Sequence, residues 1–210
     1  MNSANLEYEY QYYGYNKSLV VDKMLQLGAV KQGRYLFRVM VFTPPNTRPN
    51  SYLRIRDERH RVTQTFKYRD EGCEFERELE VIIDDFDNGC NILLNIGHTK
   101  AHYYEKIREI WNLDDAEIIF DTMPGKPEEI MEIECHSLEK LNEIAIKLGF
   151  NTKSTQDREH YTFHYGIVMN HTDVAFETAE TVLLPMATKN KDKLLELINY
   201  HKTLYYELKK

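Results

Sequence analysis

Carboxylate and basic side chains recur along this chain at a spacing of two residues. The acidic sets are Glu7 and Glu9, with Gln11 continuing the spacing; Glu74, Glu76, Glu78 and Glu80; Asp121; and Glu132 with Glu134. The basic sets are Arg54 with Arg56, Lys67, and Lys106 with Arg108. Paired carboxylates are hard oxygen ligands of the kind Mg²⁺ or Mn²⁺ takes. Arginine and lysine bind phosphate oxygens, and arginine does so bidentately. A surface that carries both suits a metal-bound polyphosphate. Phosphoryl transfer relies on positioning and charge neutralisation more than on a special nucleophile, so no further catalytic group is needed.

No rival set stands out. Cys73, Cys90 and Cys135 are far apart, with no Cys-x-x-Cys, which leaves neither a zinc ribbon nor a dithiol motif. His98 with His102, and His160 with His164, lack a third metal ligand. Gly125-Lys126-Pro127 lacks the glycine spacing of a phosphate loop.

A spacing of two is the periodicity of a β-strand, where alternate side chains share a face. Leu6 to Gln11 therefore reads as a strand with Glu7, Glu9 and Gln11 on one side and Leu6, Tyr8 and Tyr10 on the other. Further strands are expected at 34–42, 52–56, 62–68, 74–82, 98–113, 116–123 and 130–135, with a last one at 161–168. Helices are expected at 15–27, 84–96, 137–148 and 192–208, from three-four apolar spacing closed by Gly28, Gly97 and Gly149 for the first three. Ser137 is a capping residue for the third. Residues 43–50, rich in proline and turn formers, read as a loop, and 170–185 fits no single pattern.

Nearly every strand is apolar on the face opposite its charges. Two arrangements satisfy this. An open sheet could turn its charged face to water, as antiparallel sheets commonly do. A closed barrel could instead hold the charges inside, where carboxylates would have to meet cations, metal or water. Glu74 and Glu76 suit a solvent-facing position in either case. The pattern alone favours the open sheet, because solvated faces are common, and the chemistry of paired carboxylates beside arginine and lysine shifts the balance towards enclosure.

With 210 residues, 42% of them hydrophobic, the chain suits one large domain or one domain with an appended segment. A net charge of −7 excludes a general nucleic-acid field. Fifteen Tyr and nine Phe favour a β-rich fold. No stretch approaches a membrane span, and the scattered cysteines and the amino-terminal sequence point to a reducing, cytoplasmic setting.

These residues together resemble the CYTH superfamily of triphosphate tunnel metalloenzymes. The resemblance is carried by Glu7 and Glu9, then Met24-Leu25-Gln26-Leu27-Gly28-Ala29, Leu53-Arg54-Ile55-Arg56 and Thr63-Gln64-Thr65-Phe66-Lys67. Glu78-Leu79-Glu80, Lys106-Ile107-Arg108, Asp121 and Glu132-Ile133-Glu134 follow in the same order. It spans roughly residues 5 to 165. It implies an α+β fold: a closed, antiparallel, eight-stranded β-tunnel with helices packed outside. It further implies a domain over 1–168, a carboxy-terminal extension over 169–210, and a monomer or homodimer.

The same resemblance implies roles. Glu7, Glu9, Asp121, Glu132 and Glu134 would serve Mg²⁺ or Mn²⁺. Arg54, Arg56, Lys67, Lys106 and Arg108 would grip phosphates. Glu78 and Glu80 would support them, and Glu132, Glu134 and Gln11 would stand at the reacting centre. Substrates in the family include ATP, thiamine triphosphate, tripolyphosphate and RNA 5′-triphosphates, and reactions include hydrolysis and cyclisation of ATP to cyclic AMP. Two departures stand out. Gln11 replaces the lysine of the opening motif, which leaves binding without turnover as a further alternative. The strand after Gly33 lacks the family's Gln-x-Asp-x-Tyr.

Overall fold

The charged faces of the strands turn inward and their apolar faces outward, in a computed structural model that describes residues 5–45, 48–155 and 160–210. The strands are β1 (Asn5–Leu6), β2 (Tyr8–Tyr12), β3 (Val30–Thr43), β4 (Ser51–Asp57), β5 (Val62–Tyr68), β6 (Arg77–Ile83), β7 (Thr99–Leu113), β8 (Ala116–Thr122) and β9 (Ile130–Cys135). The helices are α1 (Lys17–Gln26), α2 (Phe86–Asn95), α3 (Leu138–Leu148), α4 (His160–Tyr165), α5 (Ala179–Met186) and α6 (Lys191–Lys209).

Every pairing in the sheet is antiparallel, in the order β1-β6-β5-β4-β3-β7-β8-β9-β2. The two ends of that order are contiguous in sequence. β1 pairs with β6 through Asn5↔Glu78 and Leu6↔Arg77, and β2 pairs with β9 from Tyr8↔Cys135 to Tyr12↔Met131. The opening stretch thus changes partner at Glu7, whose N–H donates to the Glu76 carbonyl at 3.0 Å, and so closes the ring. Counting β1 and β2 as one stave, eight staves surround the tunnel. The single alternating strand expected at the start is therefore two strands, because one segment must serve both edges of the sheet.

The outer face explains why the tunnel closes this way. Tyr10, Tyr12, Trp111, Ile118, Phe120, Met131 and Ile133 form one buried cluster with Val20 and Met24 of α1 and Leu141, Ile144, Ala145 and Leu148 of α3. A second cluster joins Phe42, Leu53 and Ile55 to Phe86, Cys90 and Leu93 of α2. α1, α2 and α3 each begin at a side chain that accepts from the first turn: Asn16 from Leu19 N–H, Asp85 from Asn88 N–H and Ser137 from Lys140 N–H. Gly149, at φ 91°, ends α3 in the left-handed conformation that favours glycine.

Residues 161–168, expected as a strand, begin within α4 instead. Tyr161 and Tyr165 lie four apart and both pack into a third cluster with Ile167, Val174, Leu183, Leu194 and Ile198. That spacing belongs to a helix, and the packing partner overrides the β-propensity of the aromatics. The pattern-poor stretch 170–185 holds most of α5, with Pro185 inside it. The carboxy-terminal helices grip the β8–β9 turn: Tyr161 donates to the Pro124 carbonyl at 2.6 Å, and the Gly125 N–H donates to His201 Nδ1 at 3.2 Å.

Candidate active site

A cavity of about 1010 Å³ runs inside the barrel. Its lining includes Glu7, Glu9, Gln11, Arg54, Arg56, Lys67, Glu78, Glu80, Lys106, Arg108, Glu132 and Glu134. The sequence-expected residues are therefore brought to one enclosed surface, although they come from six separate strands and from Glu7 between β1 and β2. Asp121 joins them through Lys106 and Arg108. Glu74 and Glu76, expected to face solvent, lie in the connection before β6; Glu74 is exposed and Glu76 half-buried, and both also line the cavity.

The densest knot lies between β7, β8 and β9. Lys106 Nζ donates to Asp121 Oδ2 at 2.6 Å. Arg108 holds Asp121 with two bonds, of 2.8 and 2.6 Å, and reaches Glu132 Oε2 at 2.6 Å. Burial opposes the charge on Asp121, but Arg108 and Lys106 outweigh it and hold its pKa far below the usual carboxylate range. Burial, and next Arg108, push Lys106 down to about 8. Both oxygens of Asp121 are thus engaged by cations, so it anchors Lys106 and Arg108 in this arrangement.

On the opposite wall Lys67 pairs with Glu7 and, at 3.0 Å, with Glu78. Arg56 pairs with Glu58 at 2.6 Å and lies 3.6 Å from Glu80, whose Oε2 accepts from Thr65 at 2.7 Å. Arg54 is different. It forms no carboxylate ion pair among the described residues, and its buried Nε has no hydrogen-bond partner. The Arg56 Nε likewise has no partner, so what sets Arg54 apart is the missing carboxylate; a half-buried guanidinium lining a cavity without one suits an anionic ligand.

The acids are likewise unevenly matched. Glu9 lies opposite Glu134 in the β2–β9 ladder, and Gln11 lies opposite Glu132. Gln11 Nε2 donates to Glu9 Oε1 at 2.7 Å and to Glu132 Oε1 at 3.1 Å. An amide bridges two carboxylates but cancels neither. Burial, then Glu132 and Glu7, raise Glu9 to about 8. Burial, then Glu7 and Glu117, raise Glu134 to about 7, and Glu134 forms no ion pair among the described residues.

This excess of negative charge bears on a divalent cation. No group of three His, Cys, Asp or Glu side chains among the described residues is already arranged as a metal site. The donor chemistry nonetheless fits one: Glu9 and Glu134 are hard oxygen ligands, face each other, and lack a cation of their own.

Several lining residues escaped the sequence pattern. Glu58, in the β4–β5 turn, holds Arg56 from behind the lining and continues the spacing of two from Arg54 and Arg56. Glu117, Tyr52 and Tyr104 line the cavity as well, and each continues a spacing of two from Asp121, Arg54 and Lys106, so the signal was present. On β3 the inward positions are Phe37, Val39 and Val41, where the family pattern would place polar groups. The Phe37 ring lies 5.6 Å from the Arg56 guanidinium and 5.5 Å from that of Arg108.

The family model described as the CYTH domain matches residues 20–164. The chain belongs to the CYTH domain family. The CYTH fold is shared with solved structures at low identity. A Pyrococcus horikoshii OT3 protein is 21% identical, with a TM-score of 0.59 over 73% of this chain and 93% of its own. A candidate adenylate cyclase from Vibrio parahaemolyticus is 17% identical, with a TM-score of 0.60 over 74% of this chain and 97% of its own. A candidate adenylyl cyclase from Hippeastrum, described as having a dominant triphosphatase activity, is 16% identical, with a TM-score of 0.51 over 75% and 94%. No curated protein matches the chain. No helix among the described residues of this CYTH protein is long and apolar enough to cross a membrane.

Proposed function

We propose that the tunnel is a divalent-cation-dependent triphosphatase site that cleaves its substrate by in-line attack of water. The observation that carries this is Arg54: a half-buried cation lining the chamber that forms no carboxylate ion pair among the described residues, where the other phosphate-binding candidates stand beside carboxylates. A chain of phosphates would take up Arg54, Arg56, Lys67, Lys106 and Arg108 along one path. Glu7, Glu9 and Glu134 would hold Mg²⁺ or Mn²⁺, which when bound supplies charge neutralisation at the phosphate oxygens.

Water attacks the terminal phosphorus, and the bridging oxygen leaves with the diphosphate. Glu134, beside that cation, would orient the attacking water, whose proton passes to a phosphate oxygen. Glu132 holds Arg108 and Gln11 in place. The Hippeastrum relative, named for one reaction and described by the other, supports both hydrolysis and cyclisation as chemistries of this fold. In cyclisation the ribose hydroxyl of ATP would attack the α-phosphorus and release pyrophosphate.

The test is direct. The protein is mixed with Mn²⁺ or Mg²⁺ and ATP, thiamine triphosphate or tripolyphosphate, and phosphate, pyrophosphate and cyclic AMP are assayed. Phosphate release that Arg54→Ala lowers a hundredfold or so supports the hydrolase. Cyclic AMP with pyrophosphate supports the cyclase, and tight binding without product reduces the tunnel to a binding module.

A further inference from the structure

We propose that Glu58 is a positioning residue for Arg56, and that Arg61 keeps Glu58 paired when an anion draws Arg56 into the tunnel. This deepens the triphosphate reading and rests on it.

β4 ends at Asp57, so Glu58 falls in the turn to β5. Its N–H donates to the Arg61 carbonyl at 2.9 Å, which closes that turn. Within it Arg59 takes φ 71°, and the Arg59 N–H donates to Asp57 Oδ1 at 2.7 Å. The turn buries the Glu58 side chain, which is 4% exposed. Arg56 and Arg61 line the cavity and Glu58 does not. A carboxylate buried in that way is costly unless cations meet it. Here Oε1 lies 2.6 Å from Arg56 Nη2, and Oε2 accepts from Arg61 Nε at 2.7 Å. His60 Nε2 lies 3.7 Å from Oε2.

The two guanidinium groups differ. The side chain of Arg56 is 12% exposed and that of Arg61 is 44% exposed. Burial, then the neighbouring Arg54, lower the pKa of Arg56 from the usual guanidinium value, and Glu58 is the foremost group that opposes them. Arg56 also has Glu80 at 3.6 Å and the Phe37 ring at 5.6 Å. Its hydrogen bonding is nevertheless open. Arg56 Nε, Glu58 Oε1 and the hydroxyl of Thr63, the residue opposite Arg56 on β5, are buried and make no hydrogen bond among the described residues. Charge, and not aligned hydrogen bonds, therefore holds Arg56 to Glu58, and the guanidinium can turn towards a phosphate. Arg61 governs that turn. With Arg61 in place Glu58 keeps a cation; without it a buried carboxylate would be left alone.

Calorimetry with inorganic imidotriphosphate and Mg²⁺ tests this, with thermal melts to show that each variant is folded. Glu58→Gln is expected to weaken binding about tenfold, the scale of a hydrogen bond to a charged group. The loss should vanish in an Arg56→Met background, because the carboxylate acts through Arg56. Arg61→Gln should weaken binding in the otherwise native protein and add nothing to Glu58→Gln. Unchanged or tighter binding by Glu58→Gln overturns the positioning role and leaves Glu58 as a mere neutraliser of Arg56. A loss that persists in Arg56→Met overturns it too. Losses from Arg61→Gln and Glu58→Gln that add in full show Arg61 touching the ligand itself and overturn its part. Should Glu58→Gln fail to fold, Arg61→Gln, at an exposed position, carries the test alone, and binding unmoved by it overturns the proposal. A native protein that binds no imidotriphosphate sinks the triphosphate reading, and the role of Glu58 with it.

Discussion

Gln11 is where the proposed activity can be tested most directly at the level of one residue. Its amide bridges Glu9 and Glu132 where the family motif has lysine, and Glu9 is left at about 8. Gln11→Lys would place a cation between both carboxylates, and phosphate release should rise; an unchanged rate would show that the missing charge does not limit turnover. Metal affinity should also depend on pH. Glu9 and Glu134 must lose their protons to bind a cation, and these leave near pH 8 and 7. Mn²⁺ is therefore expected to bind more tightly at pH 8.5 than at pH 6 and to release protons on binding. Titration in buffers of different ionisation enthalpy measures that release, and a proton count of zero at pH 7 would contradict it. The identities of the charged residues were legible from their spacing alone. Which acid meets which base was not, because Asp121 finds Lys106 and Arg108 across a strand pairing that periodicity does not specify.

At the scale of elements, the spacing of two gave the inward faces of the strands, and the three-four spacing gave α1, α2, α3 and α6. What failed was 161–168, where aromatic content suggested a strand and a neighbouring helix pair imposed a helix. Gly89 shows how closely α2 sits on the barrel. A Cβ there would lie 2.5 Å from Ile83 Cδ1 and 3.0 Å from Ile55 Cδ1. Gly89→Ala should therefore fail to give the gain of about 1 kcal/mol that helix propensity alone would bring, because the Ile83 and Ile55 methyls must shift. Chemical denaturation reads this directly, and a stabilised variant would mean that α2 can move outward freely.

The whole molecule adds a clasp that the tunnel strands do not contain. α6 brings His201 onto the β8–β9 turn, where its Nδ1 accepts from Gly125 and burial lowers it to about 4. Its unfolded value is near 6.5, so the unfolded chain binds more protons between these two values. The contribution of His201 is complete above pH 6.5 and is lost as pH falls from there towards 4. Thermal melts across that window should show an acid-side fall that His201→Gln flattens; an unaltered slope would place the acid sensitivity elsewhere.

Alternation along the strands fixed the two surfaces of the sheet, one ionic and one apolar, and the order of the motifs fixed the family, because both are local properties of the chain. Enclosure was decided only in three dimensions. A strand cannot encode which edges it will join, and here a break at Glu7 lets five-residue β2 meet β9 while β1 meets β6. Closure then sets which charges are left unmatched, Arg54 on one wall and Glu9 with Glu134 on another, because desolvation and cross-strand distance depend on the completed tunnel.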